Sequence, residues 1–391
     1  MTTFFQKDGD TFPVKRKYIY LNHCAVSPLA AAASEAQAEF SRRHQLGGAL
    51  VFRDYPQLLG RLHESAAALL QTSAANISLV RSTSEGINLV AQGFPFRTGD
   101  EIVSFAGEFP ANYYPWVLQE KRGATVVLLR ESAGSEAPGH WSFSELEASV
   151  TERTRIVALS HVQYTSGFVA DLYRLASFCR DRKIDLVIDA AQSAGILPIA
   201  AETPGIAAIA FSCWKWLLGP LGTAILYTAP EFRERLQVTM SGPDHMKQGT
   251  AYTDHSWQPF ETGRRYEYST VPYALAAGLM AVLNEVILPH GPEAISRESF
   301  RLQDLLISKL DHDLLLLPPQ LSSGSAQSSP ARSPILSLRI KRHPADEIAR
   351  RLEAHGVIAS ARAGYLRIAP HFYNDDDEIA KTAQLLNDAC R

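Results

Sequence analysis

Short apolar segments alternate with helical segments through most of this chain, and this alternation narrows the possible folds more than any other feature. Continuous apolar strands separated by helices are typical of a mainly parallel sheet covered by helices on both faces. Ligand sites in such sheets form where the carboxyl ends of the strands meet. We therefore predict an α/β fold with a site at that edge, built on strands at residues 77–80, 101–105, 125–129, 155–159, 185–188, 207–211 and 223–227.

The pattern divides the chain into three regions. Residues 1–20 are predicted to form an N-terminal arm that ends in a short strand and packs with the small domain. Residues 21–285 are predicted to form a large domain, and residues 286–391 a smaller α+β domain that contains a Ser/Pro-rich loop at 321–333. Helices are predicted at 27–45 (starting with Ser27-Pro28), 56–70, 85–93, 112–121, 142–149, 172–182, 292–311, 344–354 and 375–387, and a further strand at 334–340.

Composition excludes several classes of protein. A net charge of -3 shows no basic excess, which argues against nucleic acid as a partner. No apolar run approaches the ~18 residues of a membrane span, and the N-terminus lacks an apolar signal core. The scattered cysteines have neither metal nor disulfide spacing, which indicates a reducing compartment: they are Cys24, Cys179, Cys213 and Cys390. We expect a cytoplasmic protein without a metal, a membrane or a nucleic-acid partner.

The stretch FSCWKWLLGPLGT, residues 211–223, places Lys215 between two tryptophans just after a predicted strand. Burial disfavours the charged form of a lysine and lowers its pKa, which makes the amine a nucleophile toward a carbonyl. Lys215 is therefore a candidate for a Schiff base with pyridoxal 5'-phosphate (PLP). The alternative is a lysine that extends past the indoles to water.

Other polar residues follow the predicted strands. Thr83 and Ser84 begin a helix, where free backbone amides and hydroxyls bind anions or simply cap the helix. Asp189 ends a buried strand, where its carboxylate could pair with a protonated pyridine nitrogen or cap a helix, and Gln192 follows one turn later. An anion cradle, a carboxylate and a lysine at one edge are what an aldehyde phosphate cofactor needs. No G-x-G-x-x-G, P-loop or zinc spacing offers another cofactor.

Two further residues near strand ends allow two readings each. Phe109 could stack on an aromatic ring or belong to the core. His161 could act as an acid or base, but a lone histidine is more often structural, and we treat it as structural.

In its motifs the chain resembles the class V aminotransferase group of fold-type I PLP enzymes, which includes cysteine desulfurases, isopenicillin N epimerase and kynureninase. The resemblance runs nearly end to end and is strongest to the epimerase-like and desulfurase-like members. It rests on several stretches taken together: YLNHCAVSPL, RSTSEGINLVAQGF, EFPANYYPW, SHVQYTSGF, VIDAAQSAG, WKWLLGPLGTAILY and GYLRIAPHFYN.

The resemblance implies a role for individual residues and a homodimer with sites at its interface. Lys215 matches the Schiff-base lysine, Asp189 the partner of the pyridine nitrogen, and Gln192 the partner of the ring oxygen. Arg367 matches the arginine that binds the substrate α-carboxylate, which suits its bidentate fork. The remaining matches concern the phosphate and the ring: Thr83, Ser84 and Ser212 in the phosphate cradle, Phe109 where desulfurases stack a histidine, and Thr270 where a threonine reaches the phosphate of the neighbouring subunit.

The chain departs from the family at two positions. Trp214 stands where the family usually has a histidine, and an indole cannot accept a proton. The segment Arg362 to Arg367 has no room for the cysteine-bearing loop of desulfurases and contains no cysteine, which argues against persulfide-forming desulfuration. Cys24 and Cys213, near the predicted site, are interpreted as packing residues.

We therefore predict a PLP enzyme that acts at the α-carbon of an amino acid by transamination, epimerisation or β-elimination. The alternative, motivated by Trp214, is a fold-type I scaffold that has lost catalysis and serves as a binding protein. The sequence leaves the side-chain preference open. Candidates for the substrate pocket are Tyr113, Tyr114, Tyr164 and His23, and the pair Arg264 and Arg265 either favours an acidic substrate or is solvated surface charge, the reading we prefer.

Overall fold

The computed structural model describes residues 5–131, 139–318 and 332–391. Its largest sheet has seven strands. In chain order the strands are β1 Ile19–Tyr20, β2 Ile77–Val80, β3 Glu101–Phe105, β4 Thr125–Leu129, β5 Thr154–Ser160, β6 Asp185–Asp189, β7 Ile206–Ser212, β8 Ala224–Thr228, β9 Leu315–Leu316, β10 Leu336–Ile340, β11 Val357–Ile358, β12 Ser360–Arg362 and β13 Tyr365–Ile368.

The large sheet is mostly parallel. Its order is β2-β8-β7-β6-β5-β3-β4, and only β8 runs antiparallel to its neighbours. Ser160 pairs with Asp189, and Asp189 pairs with Ala210, so the last residues of β5 and β6 lie side by side near the end of β7. The predicted α/β fold, with strands ending at one edge, is confirmed.

Both faces of this sheet are buried, which explains the continuous apolar runs. Along β5, Val157 and Leu159 belong to one hydrophobic cluster, whereas Ile156 and Ala158 belong to another on the opposite face. Because side chains alternate along a strand, a strand covered on both faces needs an apolar residue at nearly every position.

Helices cover these faces and build the second domain. They are α1 Ala31–Gly47, α2 Val51–Asp54, α3 Leu58–Leu70, α4 Thr83–Gly93, α5 Tyr114–Val117, α6 Phe143–Ser149, α7 Leu172–Asp181, α8 Pro230–Arg235, α9 Tyr273–Val282, α10 Gly291–Lys309, α11 Ala345–Ala354 and α12 Asp376–Cys390. In the described ranges, no single helix is long and apolar enough to cross a membrane. The bent pair Tyr273–Ile287 and Gly291–Lys309 reaches the length and apolar composition of a membrane span only when its two helices are taken together.

Two helix predictions were wrong in detail. The helix expected from Ser27-Pro28 begins at Ala31, because Ser27 is engaged elsewhere: its backbone N–H and its Oγ both donate to Trp214 O, at 2.8 and 3.0 Å. The helix expected at 112–121 is broken into α5 and two 3-10 turns. Asn112 causes the break, because its side chain bonds Glu108 Oε2 and Trp116 Nε1 and its backbone lies in the preceding turn.

The C-terminal region contains an antiparallel sheet in the order β12-β13-β10-β9. The arm strand β1 pairs in parallel with β11, with Ile19 opposite Val357. A two-residue turn joins β12 to β13, and Ala363 and Gly364 in it have φ of +47° and +81°, the left-handed values that a tight hairpin needs. Of the loop predicted at 321–333, residues 321–331 lie outside the described residues.

Candidate active site

A cavity of about 330 Å³ lies at the carboxyl ends of β5, β6 and β7, and we call it the site cavity. It brings together residues that are far apart in the sequence. Among the residues that line it are eight of the nine predicted site residues: Thr83, Ser84, Phe109, Asp189, Gln192, Ser212, Lys215 and Arg367.

Lys215 lies in the turn that follows β7. Its backbone O accepts a hydrogen bond from Leu218 N at 3.2 Å, and Leu218 has the left-handed φ of +55°. A buried leucine in this conformation is strained, and strain of this kind is commonest at functional sites. The Lys215 side chain is partly buried, and among the described residues its Nζ has no hydrogen-bond partner. Burial lowers its pKa, although the nearby Asp189 acts in the opposite direction.

Asp189 ends β6 and is 4% exposed. Its Oδ1 accepts a hydrogen bond from Ala191 N at 2.8 Å, whereas no described residue donates to Oδ2. Burial raises the pKa of this carboxyl, and the Lys215 ammonium and the Ala191 N–H oppose that shift. One oxygen is therefore held by the backbone, and the other is available to a cationic or N–H group in the cavity.

The start of α4 and the end of β7 form an anion site. Ser212 Oγ accepts from Thr83 N at 3.1 Å and lies 2.9 Å from Thr83 Oγ1, so the hydroxyls of β7 and α4 are paired. Gly86 permits this approach, since a Cβ there would lie 3.1 Å from Ala210 Cβ. Ser84 is exposed at the first turn of α4, which begins two residues earlier than predicted because Ser82 caps it. The N-terminus of α4 thus lies at the cavity, where the Ser84 N–H has no partner among the described residues.

The Gln192 amide is fixed at both ends. Its Nε2 donates to Cys24 O at 2.8 Å, and its Oε1 accepts from Trp216 Nε1 at 3.2 Å. One N–H of the amide has no partner among the described residues, so Gln192 can still donate to an oxygen in the cavity.

Phe109 is 43% exposed and faces the cavity rather than the core. Its ring meets the Tyr164 ring edge to face at a centroid distance of 5.2 Å, and Lys215 Nζ lies 5.6 Å from its centroid. Of the candidates for the substrate pocket, Tyr164 is the one that lines this cavity.

Arg367 on β13 is 2% exposed and has no carboxylate partner among the described residues. Its Nη1 donates to Tyr164 O at 2.6 Å and its Nη2 to Ser360 Oγ at 2.9 Å, and its Nε has no partner. A buried cation without a counter-ion is costly unless a ligand supplies the negative charge. Arg367 therefore indicates an anionic ligand.

Glu108 was missed by the sequence analysis. It precedes Phe109, is 7% exposed and accepts hydrogen bonds from Ser160 N at 2.8 Å, Gln163 Nε2 at 2.7 Å, Asn112 Nδ2 at 3.2 Å and the Ser160 hydroxyl. These bonds hold the loop that carries Phe109 against the end of β5, and Ser160 itself lines the cavity. Burial raises the pKa of Glu108 to about 7, and the nearby Asp189 adds to the effect.

We expect Glu108 to make the protein less stable as pH rises. A carboxyl whose folded-state pKa lies above its unfolded value of 4.5 contributes stability that is complete below pH 4.5 and is lost as pH rises through about 7. The difference corresponds to about 3 kcal/mol. Denaturant midpoints measured from pH 5 to 8 should fall for the wild type and fall less for Glu108→Gln, which mimics the protonated acid. Equal slopes for the two proteins would contradict this assignment.

Thr270 is the predicted site residue that the site cavity does not include. It is exposed and lines a separate cavity of about 110 Å³ together with Arg81 and Tyr268. Within one chain it does not meet the residues of the α4 anion site.

Both histidines considered in the sequence lie outside the site cavity. His23, a pocket candidate, is instead fully buried, and its ring nitrogens bond Ala369 O at 2.8 Å and Tyr373 OH at 2.7 Å. His161 points to the opposite face of the sheet from Ser160, because side chains alternate at the end of β5. Burial lowers the pKa of His161 to about 4, so it is neutral near pH 7.

The remaining pocket candidates also lie elsewhere. Tyr113 and Tyr114 do not line the cavity, and Tyr114 is 65% exposed. Arg264 lies 4.0 Å from the centroid of the Phe260 ring, and Arg265 donates to the backbone oxygens of neighbouring residues. Within one chain, neither arginine lines the site cavity.

The cysteines are unpaired and buried. Cys24 lines the cavity, but burial raises the pKa of its thiol despite the nearby Arg367 and Lys215. Burial also raises the pKa of Cys213 and Cys179. No described thiol is therefore held as a thiolate. No group of three or more His, Cys, Asp or Glu side chains suited to a metal ion occurs in the described part of the chain either.

The groups that face the cavity fit PLP. An amine without a partner, a carboxylate oxygen without a partner, an exposed aromatic ring and an anion site at a helix N-terminus match the aldehyde, pyridine nitrogen, ring and phosphate of this cofactor. The buried cation Arg367 remains for a further anion, such as a substrate carboxylate.

Comparison with known proteins agrees with the geometry. The family model described as aminotransferase class-V matches residues 19–370. A probable cysteine desulfurase of Methanothermobacter thermautotrophicus is 30% identical over 236 residues, which are 59% of this chain and 58% of that protein. The uncharacterized aminotransferase YcbU of Bacillus subtilis is 25% identical over 370 residues, 94% of this chain and 93% of that protein.

Solved structures share the fold. The cystine C-S lyase C-DES, in complex with its product cysteine persulfide, superposes with a TM-score of 0.85 at 22% identity, over 96% of this chain and 99% of that one. The first curated relatives are matched over little more than half of their length, 58% and 51%. The family match spans all three sheets and every residue of the site cavity, and this chain therefore belongs to the class V aminotransferase family of PLP-dependent enzymes.

Proposed function

We propose that this protein is a PLP enzyme that acts at the α-carbon of an amino acid. The observation that carries the proposal is the meeting of Lys215, Asp189 and Arg367 around one cavity. A nucleophilic amine, a carboxylate and a buried arginine serve covalent cofactor chemistry on a carboxylated substrate.

Each part of the cofactor has residues that would hold it. Ser212, Thr83, Ser84 and the N-terminus of α4 would bind the phosphate, and Phe109 would cover the ring. Asp189 Oδ2 would hold a proton at the pyridine nitrogen, and Gln192 would donate to the ring oxygen. PLP supplies an electron sink that makes the α-proton of an amino acid acidic.

The chain's own groups then orient the substrate and move its proton. Arg367, which is 2% exposed, binds the α-carboxylate and so fixes the position of the α-carbon. Lys215 Nζ, whose pKa burial lowers, removes the α-proton as a base and can return it as an acid. Trp214, which lines the cavity where the family has a histidine, cannot share this task.

These groups suit transamination, epimerisation and β-elimination, including C–S cleavage. We disfavour persulfide-forming desulfuration although several relatives are named cysteine desulfurases. The two-residue turn at Ala363 and Gly364 leaves no loop to carry a cysteine, and the thiol of Cys24 has a raised pKa. A thiol needs its thiolate form to attack sulfur.

The absorption spectrum tests the proposal. The purified protein with PLP should show a visible band that borohydride abolishes, and amino acids that are substrates should change it. The products of a responsive amino acid then separate an oxo acid from transamination, an inverted α-carbon from epimerisation and a cleaved side chain from β-elimination. Uptake of PLP with no response to any amino acid would favour the inactive scaffold, and no uptake at all would overturn the proposal.

We propose further that the protein is a cytoplasmic homodimer in which Thr270 reaches the phosphate bound by the partner subunit. The free, buried cysteines support a reducing compartment, and the exposure of Thr270 outside its own site cavity supports a contact across the dimer. Sedimentation should give about twice 43.0 kDa. Thr270→Ala should weaken PLP binding by about tenfold or more without dissociating the dimer, and the control Thr250→Ala, at an exposed turn, should not. Unchanged PLP affinity would remove Thr270 from the site.

A further inference from the structure

We propose that the substrate carries a second carboxylate on its side chain, and that Arg362 at the mouth of the site cavity binds it. The enzyme would then act on a dicarboxylic amino acid. This inference rests on the proposed function, and it assigns a task to an arginine that neither the motifs nor the cofactor site uses.

The register of the β12–β13 hairpin places Arg362 beside Arg367. Ser360 pairs with Arg367, and Arg362 pairs with Tyr365. Because residues two apart on a strand share a face, and paired residues share a face, both arginines lie on the same side of the hairpin. They are diagonal neighbours, which lie about 7–8 Å apart in an antiparallel ladder, with their Cβ atoms somewhat closer. Both line the site cavity.

The two arginines differ in depth. Arg367 is 2% exposed, whereas Arg362 is exposed where β12 ends at the turn. The turn has only two residues, Ala363 and Gly364, so the backbone that carries Arg362 is held by the ladder on one side and a tight hairpin on the other. A ligand whose α-carboxylate lies on Arg367 would therefore have Arg362 within reach of its side chain.

Charge at the cavity favours an anion at this position. The Arg362 guanidinium makes one hydrogen bond, from Nη1 to Ala361 O at 3.3 Å, and has no ion-pair partner among the described residues. Among the described residues that line the cavity, the permanently charged Arg362 and Arg367 stand against one carboxylate, Asp189. A single α-carboxylate would leave Arg362 unused. A second carboxylate would complement it in the bidentate geometry that arginine provides.

Experiments can distinguish the binding of a second carboxylate from two other roles of Arg362. If Arg362 bound the cofactor phosphate instead, its loss would weaken PLP binding. If it were only a solvated surface charge, its loss would change no ligand affinity. Arg264 provides a matched control, because it is an exposed arginine that lies against Phe260 and outside the cavity.

The experiment measures ligand binding to the PLP-loaded protein by calorimetry. Succinate, glutarate and adipate are compared with butyrate, pentanoate and hexanoate, in which a methyl group replaces one carboxylate. The best dicarboxylate should bind about tenfold tighter than its monocarboxylate partner, since an ion pair with arginine that a ligand partly covers is worth about one such factor. This advantage should shrink as salt is added, because Arg362 is near solvent.

The variants decide the assignment. Arg362→Ala should abolish the advantage of the dicarboxylate while leaving monocarboxylate affinity and PLP affinity unchanged, Arg362→Lys should retain part of it, and Arg264→Ala should retain all of it. Equal binding of both ligand series to the wild type, or a loss of PLP affinity in Arg362→Ala, would overturn the inference. If the wild type took up no PLP, the proposed function would fail first, which is a different result.

Discussion

Lys215→Ala should lose borohydride-fixed pyridoxyl completely, and its turnover should fall by about 10³-fold or more. The lysine supplies both the amine that captures the aldehyde and the group that moves the α-proton, and positioned proton transfer alone contributes about 10²–10⁴-fold. PLP should still bind without a covalent link, because the anion site at α4 and Asp189 remain. Peptide mapping of the reduced protein and steady-state rates are the measurements.

Two variants make this expectation specific. Lys215→Arg keeps the positive charge but cannot lose its proton, so it should be as inactive as Lys215→Ala. Lys247→Ala removes an exposed lysine that pairs with Glu261, and it should behave as the wild type. Recovery of the pyridoxyl group on another lysine of the wild-type protein would refute the assignment of Lys215.

Arg367→Ala should raise the dissociation constant of an amino-acid substrate by at least about 30-fold. Removing one partner of a buried charge pair costs about 2–5 kcal/mol, because the other charge is left unpaired. The loss should be specific to the carboxylate: the wild type should prefer an amino acid to the amine that lacks it, and the variant should not. Titration of the cofactor spectrum with each pair of ligands measures this preference.

The pH dependence should change with the same substitution. Burial lowers the pKa of Lys215, and the positive charge of Arg367 lowers it further. Without that charge, the Lys215 ammonium is less disfavoured, so its pKa should rise and the base-dependent limb of the rate profile should move to higher pH. Arg367→Lys keeps a charge nearby and should move this limb less. A pH profile that is the same in Arg367→Ala as in the wild type would contradict the proximity of the two groups.

The position of the site relative to the sheet could be predicted because local composition encodes it. Strands buried on both faces need continuous apolar residues, so the polar residues that follow, Asp189 and Ser212, mark the strand ends. Parallel strands end at one edge, and β5, β6 and β7 therefore bring their following residues together. Lys215 could be predicted as a site residue for the same reason, since the stretch around it directly follows a strand.

Predictions from the local sequence pattern were wrong or incomplete where contacts with residues remote in the sequence determine the structure. The signal at Ser27-Pro28 is a good helix start, but Ser27 is used to bind Trp214 O, which is remote in the sequence. The strand that carries Arg367 was not predicted, because β13 is defined by its pairing with β10 and β12 rather than by its own periodicity. The Glu108 network depends likewise on side chains from β5 and its loop.

By itself, the sequence determined the α/β fold, the edge of the sheet that carries the site, and the residues Lys215, Asp189 and Ser212 that end or follow its strands. These follow from burial and alternation, which act over a few residues. Only the tertiary structure decided that Arg362 and Arg367 share one face, that His23 and His161 lie outside the cavity and that Thr270 is separate from it. The positions of these residues depend on strand register and on packing between segments remote in the sequence. The local periodicity of the sequence therefore does not predict them.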